Sequence, residues 1–119
     1  MIQKSSILNV ADSCGVWTVN TFHIYRGFRH KLGKFGDFLK VSVRHTKPAA
    51  WLKKGKKSKA ILVRTSFKHL RRDGSYIKTL LNSCVLLKKR VSPRGKEIEG
   101  FLFYGMRRKK LRSSFAGIF

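Results

Sequence analysis

Short runs of β-branched and aromatic residues, broken by glycine-rich and lysine-rich stretches, most constrain how this chain can fold. The clearest run is 38–44, FLKVSVR, in which Leu39, Val41 and Val43 alternate with polar or charged residues. Alternation with a period of two predicts a strand that buries one face. Further strands are predicted at 7–10 (ILNV), 16–25 (VWTVNTFHIY), 60–65 (AILVRT) and 82–87 (NSCVLL). Short sequential strands of this kind predict a mainly β fold, either a small closed barrel or a sandwich. The predicted barrel core comprises Leu8, Val10, Leu39, Val41, Val43, Ile61, Val63, Val85 and Leu87.

The stretch 66–79 predicts a hairpin that turns at Asp73 and Gly74. Asp-Gly is a preferred pair for a two-residue turn, in which both central residues take positive φ. Asp73 is the lone acid of a long basic region, and an aspartate tolerates this geometry and can bond its own backbone. We therefore interpret Asp73 as a turn-forming residue and not a catalyst. The turn is expected to present Arg71 and Arg72 at the tip of a ribbon.

A length of 119 residues predicts a single domain. We place the β-barrel at about 1–90 and a basic C-terminal segment at about 91–119. One or two helical turns are predicted around 105–116, although Gly105 and Gly117 weaken that helix. The apolar runs are too short for a transmembrane helix, and the start of the chain has neither a signal-peptide core nor an amphipathic leader.

The charge of the chain predicts a polyanionic partner. Lys and Arg number 28 against five acids, for a net charge of +23, and every charged side chain from Phe38 to Arg72 is cationic. A merely solvated surface would carry interspersed acids, so a phosphate-binding surface is the better interpretation. An anionic membrane is the competing partner, but the long amphipathic period that it requires is not found in the first ninety residues. Nucleic acid is therefore the expected partner. The residues predicted to contact RNA are Arg26, Arg29, His30, Lys31, Lys34, Lys53, Lys54, Lys56, Lys57, Arg71, Arg72, Arg107, Arg108, Lys109 and Lys110. Phe28 and Trp51, which fall in predicted loops, are candidates for stacking on bases.

Groups that could support catalysis or bind a metal are sparse. Glu97 and Glu99 could share a strand face, but no further group joins them. The histidines lack metal-ligand spacing, and Cys14 and Cys84 are far apart with no CxxC pair. No glycine-rich stretch has the pattern of a phosphate-cradling loop. We therefore expect no enzymatic activity, no metal site and no cofactor.

An ordered set of short motifs resembles the universal large-subunit ribosomal protein L-fourteen family. The motifs are MIQ at 1–3, LNVAD at 8–12, Gly15, GD at 36–37, KKG at 53–55, KA at 59–60, VRT at 63–65, DGS at 73–75 and NSCVLL at 82–87. The resemblance extends without gaps from Met1 to about Leu87. It implies a closed five-stranded β-barrel with a protruding β-ribbon and short C-terminal helices. It also implies a structural role in translation, in which the protein binds large-subunit rRNA near the subunit interface.

The resemblance further implies a set of partners. These are neighbouring large-subunit proteins of the L-three and L-nineteen types, small-subunit rRNA at an intersubunit bridge, and a ribosome silencing factor. The abundance of Phe, Lys, Ile and Tyr, together with the high charge, predicts a mitochondrial ribosome, with a bacterial or plastid ribosome as the alternative. Two other functions stay open at this point: a free single-stranded nucleic-acid-binding barrel, and a cationic membrane or host-defence protein.

Overall fold

The structure is a computed structural model that describes residues 2–25, 32–34, 36–88, 93–95, 97–100, 102 and 117–118. Strands account for all the regular secondary structure of these residues. In chain order they are β1 (Ile7–Val10), β2 (Val16–Ile24), β3 (Phe38–Thr46), β4 (Lys57–Arg64), β5 (His69–Leu70), β6 (Tyr76–Ile77), β7 (Ser83–Leu87), β8 (Glu97–Ile98) and β9 (Gly117–Ile118). Within the described ranges, no helix is long and apolar enough to cross a membrane.

Five of the strands close into a barrel in the order β1-β2-β3-β4-β7. Consecutive neighbours pair antiparallel, but β1 pairs parallel with β7, with Val10 opposite Cys84, and this pair closes the ring. The mainly β fold and the closed five-stranded barrel are therefore confirmed. Both β3 and β4 extend two or three residues further into the polar connection than the sequence predicted, to Thr46 and from Lys57.

The barrel interior follows the alternating pattern of the sequence. Leu39, Val41 and Val43 of β3 are buried, whereas the residues between them are half-buried. Successive side chains of a strand point to opposite faces, so this single strand provides three interior residues. The interior cluster comprises Ile2, Leu8, Val16, Val19, Ile24, Leu39, Val41, Val43, Ala60, Leu62, Cys84 and Leu86.

A second core lies on the opposite face of β4 and β7. Its buried residues are Ala11, Ile61, Val63, Val85, Leu87 and Ile98, with Phe38 and Leu102 packed against them. The sequence prediction grouped the β4 and β7 members of this set with the β3 residues in one barrel core. All of them are buried as predicted, but they form a cluster separate from that of β3. Strand β4 contains the continuous apolar run 60–63, so its two faces are both apolar and both must be covered.

The residues that follow the barrel provide this cover. The N–H of Ser13 donates to the carbonyl of Glu97 at 3.2 Å, and the N–H of Glu99 donates to the carbonyl of Ala11 at 2.8 Å. These bonds hold β8 along the chain at Ala11–Ser13 and bury Ile98 against the barrel wall. Strand β9 pairs parallel with β8, a pairing that the sequence did not predict. The predicted helical turns at 105–116 lie outside the described residues.

The predicted ribbon is present, but its turn differs from the prediction. Strands β5 and β6 form a separate two-stranded sheet. The N–H of Arg71 donates to the Ser75 carbonyl at 2.8 Å, and the N–H of Gly74 donates to the Arg71 carbonyl at 3.2 Å. Positive φ occurs at Gly74 (+88°) and not at Asp73. The loop is therefore a three-residue turn ending in a left-handed glycine, and the predicted two-residue turn with two positive φ values is wrong.

Asp73 nevertheless acts as a turn-forming residue. Its Oδ1 accepts hydrogen bonds from the backbone N–H of Ser75 at 3.0 Å and from the Ser75 hydroxyl at 2.6 Å. These two bonds hold the pKa of the Asp73 carboxyl below its usual range. The side chain thus fixes the residue that follows Gly74, which is the local bonding expected of aspartate in turns.

Candidate nucleic-acid interface

The run Lys53–Lys57 forms a fixed, exposed cationic loop at the start of β4. The N–H of Lys56 donates to the Lys53 carbonyl at 3.2 Å, and Gly55 in the same turn has a φ of +85°. Two further bonds of 2.9 Å join this turn to β3: Gly55 N–H to the Val43 carbonyl, and Val43 N–H to the Lys56 carbonyl. All four lysines of the run are exposed. The backbone is therefore ordered before any partner arrives, and only the lysine side chains lose freedom on binding.

A second cationic group lies at the ribbon. Arg71 and Arg72 occupy its exposed tip, as predicted, and Lys34 is exposed in the chain before β3, where its N–H donates to Asp37 Oδ2 at 2.8 Å. The pKa of His69 on β5 is lowered by burial first, and then by the charges of Lys34 and Arg71. Lys34 and Arg71 therefore both lie near His69, although they are far apart in sequence.

The remaining predicted RNA contacts lie outside the described residues. They are Arg26, Arg29, His30, Lys31, Arg107, Arg108, Lys109 and Lys110, together with the stacking candidate Phe28. The other stacking candidate, Trp51, has 89% of its surface exposed in the loop before β4. Its ring is accessible to a base, and its contact with RNA stays a prediction.

Two lysines on the barrel wall were not chosen from the sequence. Lys40 on β3 and Lys59 on β4 are half-buried and stand directly opposite each other. The Lys59 ammonium lies 5.4 Å from the ring centre of Tyr25 and 4.7 Å from that of Phe38. The polar side of the alternation in 38–44 already placed Lys40 on the outer face. The rings of Tyr25 and Phe38 come close to Lys59 only through the pairing of β2, β3 and β4, and the local sequence does not predict that pairing.

Arg64, at the end of β4, holds the C-terminal segment and so differs from the exposed cations. Its guanidinium donates to the backbone carbonyl of Glu99. Burial lowers the pKa of Arg64, and the Glu99 charge partly offsets that effect. This cation therefore contributes to the packing of β8 rather than to the exposed basic surface.

Asp12 is the one buried acid of the described residues. Neither of its carboxyl oxygens has a hydrogen bond of normal geometry within the described ranges. Burial raises the pKa of Asp12, while the nearby Cys14 thiol and surrounding backbone N–H groups lower it in part. No group of three or more His, Cys, Asp and Glu residues is placed to hold a metal ion in the part of the chain that the structure describes.

Comparison with known proteins identifies the family of the chain. The chain is 47% identical over 118 residues to the large ribosomal subunit protein uL14m of Tetrahymena pyriformis, covering 98% of each chain. This similarity confirms the prediction of a mitochondrial member. The family model for ribosomal protein L14p/L23e matches residues 1–116, and so covers nearly the whole chain. The chain therefore belongs to the ribosomal protein L14p/L23e family, whose members are structural components of the ribosome and not enzymes.

Proposed function

We propose that the chain binds large-subunit rRNA of the mitochondrial ribosome through its exposed cationic loops, as a structural constituent of that subunit. The observation that supports this most directly is the run Lys53–Lys57. Its turn is fixed by backbone bonds to β3, its lysines are exposed, and none of them is paired with a carboxylate among the described residues. Exposed ammonium groups on a fixed backbone turn are suited to phosphate oxygens, which are spaced regularly along a nucleic-acid backbone.

The binding mode that we propose depends on phosphate position and RNA shape. Contacts of lysine and arginine with phosphates fix the orientation of a protein on its RNA but do not read sequence. The loop Lys53–Lys57 and the ribbon tip Arg71–Arg72 are held on separate elements. Two cationic elements at fixed positions recognise one arrangement of RNA backbone better than others, and recognition of folded RNA depends largely on shape.

We also propose that the protein lies near the subunit interface and contributes to an intersubunit bridge with small-subunit rRNA. Its proposed protein neighbours are the L-three and L-nineteen types, and a ribosome silencing factor would bind the same face. Family membership and the ribosomal relative support these assignments. Exposed apolar residues next to the ribbon suit a protein neighbour: Leu80 is 95% exposed, and Leu81 and Phe67 are more than half exposed.

For the domain organisation, we propose one functional unit, with the barrel at about 1–90 and a basic segment at about 91–119. Burial of Ile98 in the second core supports a single unit, because the segment then shares a core with the barrel wall. The segment would bring Arg107, Arg108, Lys109 and Lys110 to the RNA as a third cationic element.

Gradient sedimentation of the full-length tagged protein tests the proposal. The wild-type chain should sediment with the large subunit at physiological salt. The triple variant Lys53→Gln, Lys54→Gln and Lys56→Gln should dissociate at lower salt, because each phosphate contact adds about 0.7–0.9 to the slope of log affinity against log salt. A control with the same loss of charge is Lys4→Gln, Lys47→Gln and Lys78→Gln, all exposed and outside the loop.

The control should dissociate at nearly the same salt concentration as the wild type. If the two triple variants behave alike, net charge and not the loop determines binding. If the wild-type protein stays out of the large-subunit fraction at physiological salt, the ribosomal function itself is wrong.

A further inference from the structure

The outer face of β2, β3 and β4 contains an irregularity that brings two consecutive side chains to the surface. Along β2, Thr21 pairs with Val41, but the next pair is His23 with Lys40, so Phe22 is an extra residue in the ladder. Phe22 and His23 are both exposed. A β-bulge of this type redirects a side chain that regular alternation would have buried. The bulge therefore places an aromatic ring and an imidazole beside Lys40.

Aromatic rings and ammonium groups are interleaved around this bulge. Lys57 lies 5.8 Å from the ring centre of Phe22, and Lys59 lies between the rings of Tyr25 and Phe38. The His23 and Tyr25 rings meet edge to face, with centroids 4.7 Å apart and planes at 86°. Cation–π and edge-to-face contacts of this kind are weakly attractive at exposed sites.

The charges of this face are not balanced by its own residues. Cross-strand pairing puts Lys40 directly opposite Lys59 and beside His23. Like charges opposite each other in a sheet are destabilising. No carboxylate pairs with Lys40 or Lys59 in the described part of the chain. A bound anion would remove the repulsion, so the face is arranged for an anionic partner.

The exposed rings indicate which kind of anion. Phe22 and Tyr25 keep 37% and 43% of their surface accessible to solvent. An acidic protein segment would neutralise the lysines but has no group that must stack on a ring. An unpaired nucleotide carries both a phosphate and a flat base, and stacking of bases on aromatic side chains is insensitive to sequence.

We propose that this Lys–aromatic cluster, defined as Phe22, His23, Tyr25, Phe38, Lys40, Lys57 and Lys59, binds an unpaired nucleotide of RNA. The base stacks on the exposed ring of Phe22 or Tyr25, and the adjoining phosphates accept hydrogen bonds from Lys40 and Lys59. This inference rests on the proposed rRNA binding and adds a site for single-stranded or bulged RNA to the cationic loops. The cluster lies on the barrel wall, and Lys57 is its one member that the sequence analysis had also selected as an RNA contact.

Binding of the full-length protein to two labelled RNA probes tests the inference. The probes are a ten-nucleotide oligo(U) strand and a blunt ten-base-pair RNA duplex. The variant Phe22→Leu with Tyr25→Leu keeps the apolar contacts of the wall but removes both rings. We expect it to bind oligo(U) about tenfold more weakly, as for the loss of a stacked base, and the duplex within twofold of the wild type.

The matched control is Phe67→Leu with Tyr76→Leu, which removes the same two ring types at exposed positions by the ribbon. Tyr76 also has a lysine near its ring, with Lys68 at 5.9 Å. We expect the control to bind both probes within twofold of the wild type. Lys40→Gln with Lys59→Gln should reduce the salt slope for oligo(U) by about 0.7 for each phosphate that the protein no longer neutralises. Each variant should keep the thermal midpoint of the wild type within a few degrees.

Several results would overturn the inference. One is oligo(U) binding by Phe22→Leu with Tyr25→Leu that stays within twofold of the wild type. Equal losses for strand and duplex would also overturn it, as would an unchanged salt slope in the double lysine variant. A ten-residue oligo-glutamate strand is a third probe. If Phe22→Leu with Tyr25→Leu weakens its binding by the same factor as the binding of oligo(U), an acidic protein segment is favoured as the partner instead. Failure of the wild-type protein to bind either RNA would contradict the proposed rRNA binding itself, and is therefore distinct from failure of the cluster alone.

Discussion

Replacement of Ile98 by alanine should destabilise the whole barrel, although Ile98 lies outside the ring of strands. The side chain is 1% exposed and packs with Ile61, Val63, Val85 and Leu87 on the outer face of β4 and β7. The change removes three carbons from a buried site, or about 2.4 kcal/mol at about 0.8 kcal/mol per carbon. The unfilled cavity adds to this, and buried Ile→Ala changes cost about 2–5 kcal/mol in total.

The effect should be visible in equilibrium unfolding by urea, followed by the fluorescence of Trp17 and Trp51. A loss of about 3 kcal/mol is a large part of the about 5–15 kcal/mol that stabilises an ordinary domain. At about 4 °C per kcal/mol for a chain of this size, the thermal midpoint should fall by about 12 °C. Both strands of the second core also line the barrel interior, so we expect one cooperative transition and not separate release of β8.

Ile7→Ala is the matched control, because it makes the same chemical change in a barrel strand. Ile7 is 55% exposed, so its replacement should cost less than about 1 kcal/mol. If the two variants differ by less than about 0.5 kcal/mol, β8 does not cover the barrel wall and the second core is not a stabilising element. A separate early transition in Ile98→Ala would show that the segment unfolds independently, which also contradicts the reasoning.

Three further predictions concern a buried acid, the ribbon turn and the thiols. Burial raises the pKa of Asp12 above 3.8, so the native state keeps this proton to higher pH than the unfolded chain, and stability is lost as pH rises from about 3.8 through the raised value. Asp12→Asn should therefore gain stability relative to wild type between pH 3 and pH 7 in urea titrations, and a constant difference across that range would contradict the burial argument. Gly74→Val forces a branched residue to a φ of +88° at about 1–2 kcal/mol, yet no atom lies within 4 Å of the added Cβ. Amide exchange should show fraying of the ribbon with an unchanged barrel, whereas Asp73→Asn, which keeps an oxygen for Ser75, should alter neither; equal protection in Gly74→Val and wild type would refute this. Burial raises the pKa of Cys14 to about 12 and also raises that of Cys84, so iodoacetamide at pH 8 should label neither thiol until urea unfolds the chain, and rapid native labelling of Cys14 would refute the burial.

The sequence predicted those parts of the fold that depend on local periodicity. Strand β3 alternates cleanly, so Leu39, Val41 and Val43 were correctly placed in the interior. The run 60–63 has no alternation, so its pattern does not indicate which of its residues face the barrel interior and which face outward. Ile61 lies in the second core, where Ile98 packs with it, and Ile98 is far away along the chain. Periodicity carries no information about such a distant partner.

The same limit applies to the candidate site. The loop lysines could be selected because a basic run without acids is visible in the sequence, and the structure places Lys53–Lys57 in an exposed turn. The Lys–aromatic cluster was missed because it requires the Phe22 bulge, which is set by the pairing of β2 with β3. The turn at Asp73 was identified, but its loop length was not. An Asp-Gly pair suits both a two-residue turn and a three-residue turn, and the hydrogen bond of Arg71 to Ser75 selects the latter.

The parallel pairing of β1 with β7 has a consequence for how the chain folds while it is being synthesised. The ring cannot close until Ser83 and Cys84 have been synthesised to lie beside Asn9 and Val10, and the outer wall stays bare until Ile98 follows. Until then the strands form at most an open sheet, and the residues of both cores stay accessible to solvent. Closure of such a long loop is slow compared with local folding. The nascent chain therefore exposes its core residues for longer than a chain with local contacts alone would, and this delay increases its tendency to aggregate before the barrel has closed.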